Sequence, residues 1–237
     1  MNKFKFIHYF IALLLITNFI YAGSSMNGPT GLILIPTAES LKYKEFNISG
    51  HYLFSAGNST ASDYKYKINL GTFQNWEIGT VGGKTPEEGM YLNLKYHLMS
   101  NESELPLYIA IGAQNISSSD KTDLYMVASK KIRSDFGLHF GFKAIFGDTI
   151  KPYFMAGSNY FVNETLELMA DFSPAVSIDG PENKYLISLG ANYFISPHLS
   201  ANLSLIDIAS SSEIMLPDNS SIGGMRIAAG LTLSKFF

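Results

Sequence analysis

Residues 136–146 read Phe136-Gly137-Leu138-His139-Phe140-Gly141-Phe142-Lys143-Ala144-Ile145-Phe146. Phe136, Leu138, Phe140, Phe142, Ala144 and Phe146 share one face, and Gly137, His139, Gly141 and Lys143 share the other. A period of two marks a strand whose faces meet different surroundings. The pattern spreads outward in both directions. Upstream, Phe46, Ile48, Gly50, Tyr52 and Phe54 oppose Asn47, Ser49 and His51, and Tyr64, Tyr66, Ile68 and Leu70 oppose Lys65, Lys67 and Asn69. Downstream, Leu166, Leu168, Ala170 and Phe172 oppose Glu167 and Asp171, and Tyr185 to Tyr193 alternates with Ser188, Gly190 and Asn192. Helical spacing is hard to find anywhere. The stretch 150–161 reads as a strand whose faces the sequence does not assign.

About twelve such strands follow one another, many close to the 9–11 residues with which a tilted strand crosses a bilayer. Soluble β-sandwiches alternate in the same way, but their strands run shorter. The connections also alternate in kind. Those at 57–62, 115–121, 173–183 and 210–223 are long, whereas Gln74-Asn75, Ser134-Asp135 and Ser196-Pro197 are tight. Long loops at one end and short turns at the other are the habit of outer-membrane barrels. The expectation is an all-β, antiparallel, up-and-down transmembrane β-barrel of about 12 strands, with a secreted soluble β-sheet adhesin as the alternative.

Composition bounds the function. The 237 residues are 46% hydrophobic but only 16% charged, which is a low share for a surface facing water all round. A net charge of −3 offers no basic excess for nucleic acid, so no nucleic-acid partner is expected. Cysteine is absent, which excludes thiol catalysis, disulfides and cysteine-ligated zinc.

At the N-terminus, Lys3 and Lys5 precede an apolar run from Phe6 to Ile20, and Tyr21-Ala22-Gly23 follows. This reads as a secretory signal peptide over 1–22, cleaved after Ala22. The run is short for a membrane-spanning helix, the alternative reading. Residues 23–43 read as a lead-in segment and 44–237 as the barrel. The segment 23–43 is expected to lead simply into the first strand; pairing with the barrel edge, or tucking into its mouth, is the other way it could lie.

The chain closes with Ala229-Gly230-Leu231-Thr232-Leu233-Ser234-Lys235-Phe236-Phe237. An alternating strand ending on a terminal Phe resembles the closing strand of bacterial outer-membrane barrels. That resemblance implies that Leu231, Leu233 and Phe237 form a signal read by the barrel assembly machinery, with Lys235 standing where a hydrophobic residue is usual.

A second resemblance lies in the lead-in, Gly28-Pro29-Thr30-Gly31-Leu32-Ile33-Leu34-Ile35-Pro36-Thr37-Ala38-Glu39-Ser40-Leu41. Thr-Gly-Leu-Ile, then Ile-Pro-Thr-Ala and a short polar stretch before a strand, resembles the N-terminal part of YjbH-type outer-membrane proteins. The resemblance implies a barrel linked to exopolysaccharide production or export. It carries over no catalytic or binding residue.

No catalytic, cofactor-binding or metal site is expected. The chain has no Gly-x-Ser-x-Gly elbow, no His-Glu-x-x-His and no phosphate loop. His51, Lys65, Lys67, Glu77, Lys95, His97, His139, Lys143, Glu167, Asp171 and Arg226 all fall on the polar strand faces. In a barrel these point into the lumen, where buried charges need partners. They are expected to form a mixed-charge network that bridges a narrow or closed lumen. The function expected is that of a non-enzymatic barrel in the outer membrane of a Gram-negative-type bacterium. It would be a small channel or an envelope accessory linked to surface polysaccharide and its export components, with outer-membrane lipid as its surroundings. An outer-membrane enzyme acting on lipid is the alternative.

Overall fold

The computed structural model describes residues 23–55, 62–73, 75–84, 89–100, 107–117, 122–146, 150–175, 184–209, 213–215, 221–223 and 225–236. Residues 1–22, read above as a signal peptide, and Phe237 lie outside them. The strands are β1 (Glu45–Ser55), β2 (Ser62–Gly71), β3 (Trp76–Gly83), β4 (Tyr91–Ser100), β5 (Leu107–Gln114), β6 (Asp123–Arg133) and β7 (Phe136–Ile145). They continue as β8 (Lys151–Asn163), β9 (Leu166–Ala175), β10 (Lys184–Ser196), β11 (Leu199–Ile206), β12 (Glu213–Met215), β13 (Ser221–Gly223) and β14 (Arg226–Phe236). Twelve of them close into one antiparallel barrel, each paired with its neighbours in sequence, and β12–β13 form a separate small hairpin. Closure joins β1 to β14 from Glu45↔Phe236 to Ser55↔Arg226, so no edge strand is left unpaired there.

The tight connections Ser134-Asp135, Glu164-Thr165 and Pro197-His198 share one end of the barrel with the start of β1 and the end of β14. We call this the turn end and the opposite one the loop end. At the turn between β2 and β3, Asn75 takes a positive φ of 69°, a conformation that Asn tolerates better than most residues.

The outer face is apolar. Phe142 is 59% exposed, Leu231 55% and Phe140 48%, in line with the alternation that defined the strands. The inward register of the first two strands is buried, with Asn47, Ser49 and His51 on β1 and Lys65, Lys67 and Asn69 on β2. In β8, whose faces the sequence left open, Tyr153 and Met155 point inward while Phe154 and Tyr160 point outward. Its middle, Ala156-Gly157-Ser158-Asn159, differs too little in size and polarity to show alternation.

One expectation is corrected. Residues 23–43 are not a simple lead-in: they run into the lumen from the turn end and fill it. Met26, Leu32, Ile33, Leu34, Ile35 and Ala38 are buried there against inward-facing wall residues that include Leu53, Val127, Met155 and Leu186. The physical reason is the wall itself. Several inward positions are apolar, and an empty lumen would leave that surface wet; burying a Leu or Ile side chain is worth about 1.5–3 kcal/mol. The barrel therefore has an apolar face outside and a hydrophobic core inside, separated by one layer of strands.

Candidate functional site

The plug folds back on itself before it meets the wall. A Ser24↔Thr30 bridge and a Gly31↔Pro36 bridge close two short turns, and Gly28 takes a φ of 120° within the first. Two wall glycines make room for it. A Cβ at Gly157 would come within 2.5 Å of Leu32 Cδ1 and 2.9 Å of Ile35 Cδ1, and one at Gly190 within 3.0 Å of Ile33 Cδ1.

Charged wall residues hold the plug by its backbone. Glu77 on β3 accepts from the Thr30 amide at 2.7 Å and the Leu41 amide at 3.2 Å, with the Thr30 hydroxyl 2.8 Å away. Lys95 on β4 donates to the carbonyls of Thr30, Thr37 and Glu39 at 3.0, 3.3 and 2.6 Å. It also lies 3.5 Å from Glu77, so the two charges neutralise each other while gripping the same loop. Lys67 on β2 donates to the carbonyls of Ser24 and Ser25. On the opposite wall, Asp171 Oδ2 on β9 receives three consecutive amides, Ile33, Leu34 and Ile35, at 3.1, 2.6 and 3.3 Å. Three N–H groups converging on one oxygen form a backbone nest for an anion. His97 Nδ1 meets the Ala38 carbonyl at 2.9 Å, and the Ala38 amide donates to Ser129 Oγ at 2.8 Å.

A second polar system runs around the wall near the turn end. Ser129 Oγ meets His139 Nδ1 at 2.8 Å, His139 Nε2 meets Asn159 Oδ1 at 3.1 Å, and Asn159 Nδ2 donates to Glu167 Oε1 at 2.7 Å. From the other side, Thr232 donates to Asn202, Asn202 to Asn192, and Asn192 Nδ2 to Glu167 Oε2, at 3.1, 2.5 and 2.8 Å. Asn159 turns its Nδ2 to Glu167, so its Oδ1 faces His139 Nε2 as an acceptor and receives the hydrogen bond from that nitrogen. Both arms then donate toward Glu167, the common acceptor of a belt spanning β6 to β14.

All eleven residues read as lumen-facing do face inward. Glu77, Lys95, Lys67, Asp171 and His97 bind the plug, while His139 and Glu167 belong to the belt. Lys143 pairs with Asp123 at 3.0 Å. His51, Lys65 and Arg226 are buried on the inner face of β1, β2 and β14. The expected network is corrected in one respect: five of the eleven grip backbone groups of the plug instead of bridging an empty lumen to one another. Sequence reasoning missed Asp123, Ser129, Asn159, Asn192 and Asn202 as members. All five sit in the inward register; strand alternation was the signal for Asp123, Ser129, Asn192 and Asn202, whereas Asn159 lies in β8, whose alternation could not be read. Leu231 and Leu233 lie exposed on the outer face of β14, and Phe237 falls outside the described residues.

Between the plug and the wall, a cavity of about 510 Å³ lies at the turn end. Gly23, Thr37 and Glu39 of the plug line it, together with Tyr108, His139 and Glu167 of the wall. Among the described residues, no group of three or more His, Cys, Asp or Glu side chains could hold a metal ion.

No family model matches the chain, and no curated protein is similar to it in sequence. Solved structures are. The chain is similar to the KdgM porin, with a TM-score of 0.56 and 8% identity over 81% of this chain and 99% of that one. It is similar to the NanC porin, with a TM-score of 0.53 and 10% identity over 81% and 99%. It is also similar to an outer membrane channel from Pseudomonas putida F1, with a TM-score of 0.51 and 12% identity over 84% and 98%. At such identities the likeness is one of fold alone.

Proposed function

We propose that this chain is an outer-membrane barrel kept closed by its own N-terminal segment, and that its lumen opens only when residues 23–43 move. The observation that carries this reading is the seating of Met26 and Leu32–Ile35 in an apolar lumen while Glu77, Lys95 and Asp171 hold the adjoining backbone. In this reading the signal peptide is cleaved after Ala22. The turn end, which holds both ends of the barrel, faces the periplasm, and the loops face outward. The role is non-enzymatic, in a bilayer reached through the barrel assembly machinery. A link to surface polysaccharide or its export components is supported by the Thr30–Ala38 resemblance. A solved structure of similar fold, the KdgM porin in complex with disordered oligogalacturonate, adds to it.

The test is conductance in a planar bilayer. The intact barrel should carry little or no steady current, and a variant lacking residues 24–41 should carry a steady ohmic one. Gly157→Leu, which pushes a side chain into the space of Leu32 and Ile35, should open the barrel part of the time. A large porin-like current from the intact protein would overturn the reading. So would a deletion variant that folds and stays closed.

A further inference from the structure

The cavity at the turn end is lined by four carboxylates, those of Glu39, Asp135, Glu164 and Glu167, against one lysine, Lys131. Glu167 is 6% exposed, and among the described residues its hydrogen-bond partners are the neutral amides of Asn159 and Asn192. A buried charge served only by neutral donors is an incomplete arrangement. Glu39 Oε2, in the same cavity, is buried without a hydrogen-bond partner, and the nearest cationic group is His139 Nδ1 at 3.9 Å. Burial pushes the Glu39 carboxyl up, but the charges of His139 and Lys95 and hydrogen bonds from Thr37 and its own backbone outweigh this. They hold it below the usual carboxylate range. His139 has its Nδ1 turned to Ser129 and its Nε2 to Asn159, so both ring nitrogens already face other partners.

Gly23 lines this same cavity. It is fixed in place, because its carbonyl accepts from the Gly31 amide at 2.8 Å. A Cβ on Gly23 would lie 3.6 Å from Asn192 Nδ2, the group that donates to Glu167. Residues 23–41 contain no basic side chain, and Glu39 is their single charge. The plug thus brings a carboxylate into an acidic cavity and no side-chain cation to balance it.

We propose that the cavity is a receptor for an α-ammonium group, and that its occupant is the amino terminus created at Gly23 when the leader is removed. This rests on the reading that cleavage falls after Ala22. Hydrolysis of the Ala22–Gly23 peptide bond consumes one water and leaves a carboxylate on the leader and a primary ammonium on Gly23. That ammonium enters the space faced by Glu39 and Glu167 and completes both. Before cleavage the same nitrogen is an amide without charge. Removal of the leader then supplies the charge that seats the plug.

Mass spectrometry of the exported, folded protein comes first, because a terminus elsewhere than Gly23 overturns the cleavage reading, and this proposal with it. With the terminus at Gly23, the α-amine is labelled with an amine-selective ester near pH 7 in the folded barrel. A model peptide beginning Gly-Ser-Ser serves as reference. The paired amine should react about tenfold more slowly than the peptide, the ratio for an amine about one pH unit harder to deprotonate. Glu167→Gln and Glu39→Gln should each restore much of the rate. So should a mature chain extended at its start by Ala-Ser, which carries the amine away from the cavity and leaves every wall residue intact. Should Glu167→Gln not assemble, the extended chain decides alone. Equal rates for the parent and the peptide would overturn the ammonium receptor while leaving the cleavage site in place. So would a slow rate that the extension leaves unchanged.

Discussion

The outer face of the strands and the plug inside them both present rows of large aliphatic side chains, yet they are held by different forces. On the outside, Ile48, Phe140 and Leu231 meet whatever surrounds the barrel, and that surrounding is as apolar as they are if it is lipid. Inside, Ile33 and Ile35 meet fixed partners at close range, in sockets made by Gly190 and Gly157. Lipid can flow into a gap left on the outside. The core of the lumen cannot relax in that way, so the same truncation should cost more inside than outside.

The largest effect should come from that contrast. Ile35→Ala removes a side chain that is 1% exposed and should weaken plug seating by about 2–5 kcal/mol. Ile48→Ala, the same truncation on the outer face of β1, should change the urea midpoint of the barrel far less. Near-equal shifts would mean that Ile35 is not packed in a core.

Charge on the outside comes next. Phe140→Arg places a cation on the apolar exterior and should cost about 2–4 kcal/mol if that position lies near the bilayer midplane. The expected readout is loss of the species that changes gel mobility on heating in detergent. Normal assembly of this variant would remove the lipid-facing assignment of β7.

A smaller effect is expected from Asp171→Asn. The amide oxygen can still accept from Ile33, Leu34 and Ile35, but as a neutral acceptor. Hydrogen bonds to charged groups exceed neutral ones by about 1 kcal/mol. The plug should therefore loosen while the barrel stays assembled, seen as intermittent current through an otherwise closed lumen. Deleting Phe237 should have the least effect on the finished barrel, less than the roughly 1.5–3 kcal/mol of a fully buried side chain. It should still leave precursor or degraded protein in the periplasm of cells. Normal assembly of the deletion would show that the terminal residue is not an assembly signal here.

The wall was legible because each strand separates two environments, and a period of two survives local exceptions. β7 shows it in every residue from Phe136 to Ala144. β8 hid it, because inward-facing Gly157 sits where the plug needs space and outward-facing Ser158 is small and polar, so side-chain size stops reporting the face. The plug was illegible for a related reason. Leu32-Ile33-Leu34-Ile35 is an unbroken apolar run, and such a run has no face to betray which surface it covers. The clue lay in the strands: Leu53, Val127, Met155 and Leu186 break the polar register of the inner face, and together they describe a surface waiting for a partner. The eleven charged and histidine positions were found because alternation alone places them inward. Their partners could not be read, since Glu77, Lys95 and Asp171 bind main-chain groups, which carry no side-chain signature.

The claim that residues 23–43 fill the lumen is tested most directly by cysteine protection, since the chain has no cysteine of its own. Ala38 is 0% exposed in the plug, and Phe73 is 72% exposed in the turn between β2 and β3. Ala38→Cys and Phe73→Cys, each as a single cysteine, would be treated with a maleimide in the folded barrel and again after denaturation. The account predicts that the cysteine at 38 stays unreacted until the barrel unfolds, while the one at 73 reacts in both states. Equal rates at the two positions in the folded barrel would place the segment in water and contradict it.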